Sequence, residues 1–469
     1  MVSIDPTQTL QAEDAAPSPN KLYLAAWRWH FYAGLYVIPF LITLALTGLI
    51  MLWVSTLSGR DGEWISVVPT GEALAVSTLA QSATESVTGG TLVQYIAPRA
   101  PDLAAIFRVD AGDDAIMVAV NPYTAEVLSE MPRRAGLYDL ANEIHGTLLL
   151  GVTGDRMIEI AASLAMVLVA TGLYLWWPRR TQGLRVFVPN LAARGRLLWK
   201  SLHSTIGAWV SVILVFFLIS GLSWAGIWGE KFVQAWNTFP AEKWGAPLSD
   251  VTHASMNHGA VKEVPWALEQ TPMPASGSEA GADGLAANAP VTLDSVTAFA
   301  HQIGFENRFQ LNLPAGEEGV WTVSRDSMSN DSTRPTDDRT VHIDQYTGKI
   351  LADVRFADYS IYGKGMAVGI ALHEGDLGWW NVALNTIFCL SVIFVAVSGA
   401  VMWWMRRPSG AGRLAAPPMP RDVPLWQGAV LVGLAISLAF PMAGLTLLAV
   451  LALDVLILPR IPALRRVLS

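Results

Sequence analysis

The chain has 469 residues, of which 52% are hydrophobic and only 15% are charged. This composition excludes an ordinary soluble protein of this length and indicates a polytopic α-helical membrane protein. The single cysteine, Cys389, excludes internal disulfides, cysteine-rich metal sites and cofactor attachment through paired cysteines. The net charge of -8 is a poor guide to binding partners because the charges are divided unevenly along the chain. No nucleic acid is expected among the partners.

Four apolar stretches are predicted to cross the membrane as helices. They cover residues 27–53, about 158–177, 203–228 and about 379–405. Each is long enough to span a bilayer core of about 30 Å at roughly 1.5 Å per helical residue. The first twenty residues are polar and acidic, unlike a signal peptide, so we expect the N-terminus to stay in the cytoplasm.

The loop charges predict the orientation of these spans. Residues 178–202 contain six basic residues and no acid, which places them in the cytoplasm by the positive-inside rule. Residues 54–144 carry twelve acids against five bases, and residues 229–378 carry twenty against ten. Both acidic segments are therefore expected outside.

The last apolar run, residues 425–458, has 34 residues and would be about 51 Å long as one helix. Pro441 near its middle predicts a hairpin of two short spans, which raises the expected total to six. Residues 271–290 are rich in Gly, Ala, Ser and Pro and are expected to form a mobile linker.

The sequence contains an internal repeat. TGLYLWWPRR at 171–180 matches SGAVMWWMRR at 398–407, and NPYTAEVL at 121–128 resembles DQYTGKIL at 344–351. The second match is a turn between β-rich runs in each copy, which predicts a small α+β module in each external segment. The chain thus reads as two tandem copies of span, external module and span, in the same direction.

The expected layout follows from these observations. It comprises a cytoplasmic tail (1–26), the first span (27–53), the first external module (54–144), a histidine segment with the second span (145–177), a basic cytoplasmic loop (178–202), the third span (203–228), the second external module with its linker (229–372), a histidine segment with the fourth span (373–405), a cytoplasmic loop (406–424), the hairpin (425–458) and a cytoplasmic tail (459–469).

Four of the eight histidines lie at span edges, and the repeat sorts them into two equivalent sets. Two spans carry a histidine followed by glycines at offsets of four and eighteen: His30, Gly34 and Gly48 in the first, and His203, Gly207 and Gly221 in the third. Those offsets place all three residues on one helix face. His145 and His373 precede the second and fourth spans on the external side.

Two equivalent histidines at each side of the membrane match the requirements of two bis-histidine haems, because six-coordinate haem iron takes one imidazole on each side of the porphyrin. The glycines would let the macrocycle approach the helix backbones. Arg28 is a candidate partner for a haem propionate, although a positive-inside anchor accounts for it equally well. His145 lies thirteen residues before Ile158 with glycines between them, so its site is expected near the outer surface.

Simpler explanations exist for each of these residues taken alone. An isolated histidine at a membrane interface is more often satisfied by headgroups or a carbonyl group, and glycines in membrane helices usually serve helix packing. His253, Met256 and His258 could touch a substrate or a metal, but a solvated loop is the better expectation. His301 and His342 are expected to be surface or packing residues.

These motifs resemble a known family. The stretch from His30 to Trp53, the HGTLLLGVTGDRMIE segment at 145–159, the TGLYLWWPRR end of the second span and the paired Y-T-x-x-[VI]-L turns are similar to the PepSY-associated transmembrane proteins. The likeness covers about residues 20–407. The best understood members resemble di-haem ferric-siderophore reductases of the bacterial inner membrane.

The resemblance implies a function and a set of ligands. His30 and His203 would ligate an inner b-type haem, and His145 and His373 an outer one, in a multi-pass inner-membrane protein with both termini in the cytoplasm. Electrons would pass to a periplasmic ferric siderophore or other ferric chelate. The sequence shows no glycine-rich phosphate loop for a nucleotide, so the donor would be a cytoplasmic flavoprotein or a quinol.

Two other classes of function remain open. The chain could be a non-enzymatic, membrane-anchored PepSY binding or regulatory protein, which would leave the matched histidines unexplained. It could also be a metal- or proton-coupled transporter, which the repeat favours, although the spans lack the buried carboxylates that such proteins use.

Overall fold

The computed structural model describes residues 20–177, 183–257, 263–286, 289–407, 414–417, 427–452, 456 and 460–461. His258, nearly all of the expected tails and parts of the loops beyond the second and fourth spans lie outside these residues. The chain divides into two compact units. One contains the described parts of 1–40, 160–215 and 394–469, and the other contains those of 41–159 and 216–393.

The α-helices are numbered along the chain. They are α1 (Lys21–Leu57), α2 (Val76–Ser86), α3 (Leu137–Thr147), α4 (Val152–Trp176), α5 (Arg196–Leu222), α6 (Leu293–Gln302), α7 (Ile361–Glu374), α8 (Trp379–Arg406), α9 (Gln427–Ala439) and α10 (Pro441–Ala452). Four of them, α1, α4, α5 and α8, are long and apolar enough to cross a membrane. The protein is therefore a multi-pass α-helical membrane protein, and each long helix contributes to both units.

Helix α5 ends six residues before the predicted end of the third span. Its last residue is Leu222, although the sequence stays apolar as far as Trp228. Glu159, two turns into α4, accounts for the early end, because its buried carboxylate accepts hydrogen bonds from the backbone N–H groups of Trp228 (2.9 Å) and Ile227 (3.3 Å). Those N–H groups bond to the carboxylate where an α-helix would pair them with carbonyl groups four residues back.

The C-terminal apolar run is broken at the predicted place. Helices α9 and α10 have 13 and 12 residues and meet around Phe440. Over the described residues each helix is about 20 Å long or less, and the residues before α9 and after α10 in this run lie outside the described part of the chain. Among the described residues four helices have the length and apolarity of a span, and the two additional spans predicted for 425–458 stay a prediction.

The strands form one large antiparallel sheet and a small two-stranded sheet. The strands are β1 (Thr91–Ile96), β2 (Ala105–Ala111), β3 (Asp114–Val120), β4 (Val127–Pro132), β5 (Leu248–Thr252), β6 (Pro272–Pro274), β7 (Gln310–Asn312), β8 (Val320–Arg325), β9 (Arg339–Asp344) and β10 (Ile350–Arg355). The large sheet has the order β10-β9-β8-β7-β1-β2-β3-β4, and β5 pairs with β6.

The two expected external modules are the two halves of this sheet. Each contributes one helix (α2 or α6) and four strands, and β1 joins β7 with Tyr95 opposite Leu311. Phe107 and Phe309, one from each half, are fully buried in the same hydrophobic core. The expectation of two separate modules is therefore corrected to one eight-stranded sheet domain with a shared core.

The segment 271–290 is not a free linker where it is described. Ala282 pairs with Ile350, the first residue of β10, and the backbone N–H of Leu285 donates to the carbonyl of Gly348 at 3.0 Å. The backbone N–H of Gly277 donates to the Asp344 carboxylate at 2.7 Å. Small residues suggested flexibility, but they also allow the backbone to lie against the end of the sheet.

Candidate functional site

The structure brings the four span-edge histidines together as two pairs. In the first pair, the ring centroids of His30 (α1) and His203 (α5) are 6.3 Å apart and the ring planes are perpendicular. In the second pair, those of His145 (α3) and His373 (α7) are 6.4 Å apart at an angle of 84°. The first pair lies in one unit and the second pair in the other.

Each imidazole is fixed by a hydroxyl group on a neighbouring long helix. Nδ1 of His30 lies 3.0 Å from Thr171 Oγ1, and Nδ1 of His203 lies 2.9 Å from Ser398 Oγ. In the second pair, Nδ1 of His145 lies 2.9 Å from Thr47 Oγ1, and Nδ1 of His373 lies 2.8 Å from Ser220 Oγ. The repeat is therefore visible in the contacts of the histidines as well as in their positions.

The hydroxyl groups determine which ring nitrogen carries the proton. Every hydroxyl already donates within its own helix, for example Thr171 to the carbonyl of Val167 at 2.7 Å and Thr47 to that of Thr43 at 2.8 Å. Its oxygen must then accept from the imidazole, which places the proton on Nδ1 and leaves the lone pair on Nε2. Metal-bound histidines commonly show this arrangement.

A glycine follows each of these hydroxyl residues and makes room for the ring. A methyl group at Gly172 would lie 3.1 Å from Cε1 of His30, and one at Gly399 would lie 3.5 Å from Cε1 of His203. At Gly48 and Gly221 the distances to Cε1 of His145 and His373 are 3.7 and 3.9 Å. Gly48 and Gly221, which the sequence grouped with His30 and His203, thus lie against the second pair.

The remaining predicted residues have other contacts. Methyl groups at Gly34 and Gly207 would meet Leu168 and Val395 at 3.8 and 3.9 Å, which is ordinary contact between neighbouring side chains. Nη1 of Arg28 donates to the carbonyl of Pro417 at 2.7 Å.

The donor set fits haem better than a bare metal ion. An imidazole nitrogen binds a first-row metal at about 2.0–2.1 Å, so two imidazoles on opposite sides of one ion place their centroids about 6 Å apart. No group of three or more His, Cys, Asp or Glu side chains that could hold a metal occurs in the part of the chain that the structure describes. Two protein ligands suffice for haem iron because the porphyrin supplies the other four nitrogens.

The second pair lies outside the long helices, and its electrostatics favour neutral rings. Burial lowers the pKa of His145 to about 4. Burial and the neighbouring His145 lower the pKa of His373 to about 3. Both imidazoles are neutral at pH 7, which is the protonation state that binds a metal.

The chain matches the profile of the PepSY-associated TM region over residues 27–406. It belongs to the PepSY-associated TM region family. A search of curated proteins found no match. The matched region of this PepSY-associated protein contains both histidine pairs and all four hydroxyl–glycine dipeptides.

Sequence reasoning missed the hydroxyl groups that hold the histidines of this PepSY-associated protein. They are Thr47, Thr171, Ser220 and Ser398. A signal was present, because a hydroxyl residue precedes a glycine in each of the four long helices. Only the structure assigns each dipeptide to its histidine.

The prediction of a solvated loop at His253 is wrong. Its side chain is fully buried, and its Nε2 lies 2.9 Å from Nε2 of His342, which is also fully buried. Nδ1 of His253 donates to the carbonyl of Thr271 at 2.7 Å, and Thr322 lies 3.0 Å from Nδ1 of His342. When both histidines are neutral, every ring nitrogen has a hydrogen-bond partner. The pair therefore connects the segment before β6 to strand β9.

Proposed function

We propose that the protein is a haem-containing oxidoreductase that passes electrons across the bacterial inner membrane to a ferric chelate, such as a ferric siderophore, in the periplasm. The observation that supports this most strongly is the geometry of the two histidine pairs, with centroids 6.3 and 6.4 Å apart. Membership of the PepSY-associated family supports it more generally.

In this proposal His30 and His203 ligate one b-type haem, and His145 and His373 ligate the other. Haem bound there supplies one-electron transfer through its iron. The chain supplies four neutral imidazoles, hydroxyl groups that hold the proton on Nδ1, and glycines that let the rings approach the helices. Fixed ligands keep the geometry around the metal the same when its charge changes, which lowers the energy needed for each electron transfer.

The substrate follows from the chemistry of iron release. Hard oxygen ligands hold small, highly charged Fe(III) far better than Fe(II). One electron delivered to the chelate therefore weakens its hold on the metal and releases Fe(II) for uptake. A cytoplasmic flavoprotein or a membrane quinol is the proposed donor, and membrane lipid is the remaining partner.

The test is electron transfer across a sealed membrane. Vesicles containing the purified protein are loaded with a reductant, a ferric hydroxamate is added outside, and Fe(II) is trapped outside by a coloured Fe(II)-specific chelator. We expect Fe(II) to form with the wild-type protein. The control variant His301→Ala, which replaces an exposed histidine outside both pairs, should also form Fe(II). His203→Ala should abolish it, and equal Fe(II) formation by His203→Ala would contradict the proposal.

A further inference from the structure

The helix that carries His373 is held at its end by two buried asparagines. The last carbonyl groups of an α-helix lack partners within the helix. Nδ2 of Asn385 donates to the carbonyls of Leu372 at 2.8 Å and His373 at 3.0 Å, and Nδ2 of Asn381 donates to that of Leu372 at 2.9 Å. Asn381 is 0% exposed and Asn385 is 3% exposed, so water cannot replace these hydrogen bonds.

The imidazole of His373 is also supported by aromatic rings. The ring of Phe217 on α5 lies 4.5 Å from that of His373, centroid to centroid. Phe217 in turn stacks on Phe388 of α8 at 4.3 Å. Together with the hydroxyl of Ser220, these contacts hold both the backbone and the ring of this histidine.

The first copy of the repeat has no such asparagines. The spacing of 227 residues that relates Thr171 to Ser398 places Gly154 and Ile158 opposite Asn381 and Asn385. Neither has a side chain that can donate a hydrogen bond. In α3 the carbonyl of Ile144, which precedes His145 as Leu372 precedes His373, is bonded instead by the backbone N–H of Leu148, at 3.0 Å.

The turns after the two histidine helices also differ. After α7 the chain turns through Gly375 and Gly378, both with φ near 95°, which glycine adopts without steric cost. After α3 it turns through Leu148 and Leu149, with φ of 54° and 60°. Two consecutive non-glycine residues in the left-handed region store conformational strain.

We propose that Asn381 and Asn385 are positioning residues for His373: through hydrogen bonds that the end of α3 beside His145 lacks, they hold the end of α7 and with it one imidazole of the second pair. The fixed ring would set the orientation of the bound group. The spectroscopic consequence rests on the proposed function, whereas the effect on the end of α7 does not.

The first test is amide hydrogen exchange in the full-length protein, comparing the wild type with Asn385→Ala and Asn381→Ala. Thr386→Ala is the matched control, because its hydroxyl donates only to the carbonyl of Val382 in its own helix. We expect amides in the last turn of α7 to exchange about tenfold faster in Asn385→Ala, since two hydrogen bonds are lost. The control and the amides of α3 should match the wild type. Unchanged exchange in α7, or equal acceleration in α3, would overturn the proposal.

The second test is the low-spin ferric signal of the bound haems in electron paramagnetic resonance. Asn385→Ala should broaden or shift one signal only, the one that His373→Ala removes, and Thr386→Ala should leave both signals unchanged. A colourless wild-type protein would defeat the proposed function and leave the exchange data to decide the role of the asparagines. Bound haem with unaltered signals in Asn385→Ala would refute the positioning role. If Asn385→Ala does not fold, Asn381→Ala, which loses fewer bonds to the end of α7, provides the same comparison.

Discussion

Nδ1 of His30 lies 3.0 Å from the hydroxyl oxygen of Thr171, a residue 141 positions along the chain. The same relation joins His203 to Ser398 at 2.9 Å. The two contacts join the same kinds of group, an imidazole and a hydroxyl, at corresponding positions in the two copies of the repeat. They therefore indicate that both copies need the imidazole to be held in this way. In the proposed function, both contacts hold a neutral imidazole whose Nε2 lone pair is free to bind a metal.

The hydroxyl of Thr171 should tune the affinity of the first pair for its metal group. Thr171→Val keeps the shape of the side chain but removes the acceptor for Nδ1 of His30, which leaves the ring free to rotate and change tautomer. Loss of such a partner typically weakens metal binding by about 10- to 100-fold. Haem retention during purification would measure this. Thr171→Ser should behave like the wild type, and retention by Thr171→Val equal to that of Thr171→Ser would argue against the role of the hydroxyl.

The glycines next to the hydroxyl residues should differ in their tolerance of a methyl group. Gly172→Ala would place its Cβ 3.1 Å from His30 Cε1, whereas Gly221→Ala would place it 3.9 Å from His373 Cε1. The first distance requires the ring to move and the second is ordinary contact. We expect Gly172→Ala to lower the haem content and Gly221→Ala to leave it near the wild-type value, as measured by haem per chain. The reverse order would contradict the placement of these rings.

Removing one histidine should affect only its own pair. His145→Ala leaves His30 and His203 untouched, so about half of the haem should remain, with a spectrum altered in one component. His30→Ala should give the complementary loss. Complete loss in both variants, with the proteins still folded by circular dichroism, would show that the two pairs are not independent sites.

Acid should destabilise the sheet domain through His253 and His342. Burial lowers the pKa of His253 to about 4, and burial together with His253 lowers that of His342 well below its usual value. Below the ordinary pKa of 6.5 these two histidines bind more protons in the unfolded chain than in the folded one, so the stability that they contribute falls as the pH drops from about 6.5 towards about 4. Thermal unfolding of the purified protein at about pH 7.5 and about pH 5 would measure the loss.

The matched variant for the pH test is His342→Gln, which does not titrate. The change in its midpoint of unfolding from about pH 7.5 to about pH 5 should be less destabilising than the change in the wild type. Burial raises the pKa of Asp338 to about 8, and this group opposes the effect because it favours the folded state as the pH falls. Both proteins carry Asp338, so their difference isolates the effect of His342. An identical pH dependence would show that this pair does not contribute.

Much of the fold could be predicted because hydrophobicity and periodicity act locally. The apolar stretches around His30 and Cys389 have the length of a membrane helix, and α1 and α8 form there. The shared offsets of His30 and His203 follow from 3.6 residues per turn. The hairpin signals at Tyr123 and Tyr346 also lie in turns between paired strands.

The features that sequence reasoning missed depend on pairing between distant segments. Where the two halves of the sheet meet, the side chains of Gln94 on β1 and Gln310 on β7 form a hydrogen bond of 2.7 Å. The two residues are 216 positions apart, and no local pattern encodes that contact. The bond between His253 and His342 spans 89 residues in the same way. A threonine such as Thr47 could satisfy its hydroxyl within its own helix, so nothing in the sequence alone assigns it to His145.

The most direct test of the central claim is a reduced-minus-oxidised absorbance spectrum of the purified protein, with haem counted per chain. Two imidazole pairs predict b-type bands and two haems per chain in the wild type, and one haem in His203→Ala. A colourless protein, or a haem content that His203→Ala leaves unchanged, would contradict the assignment.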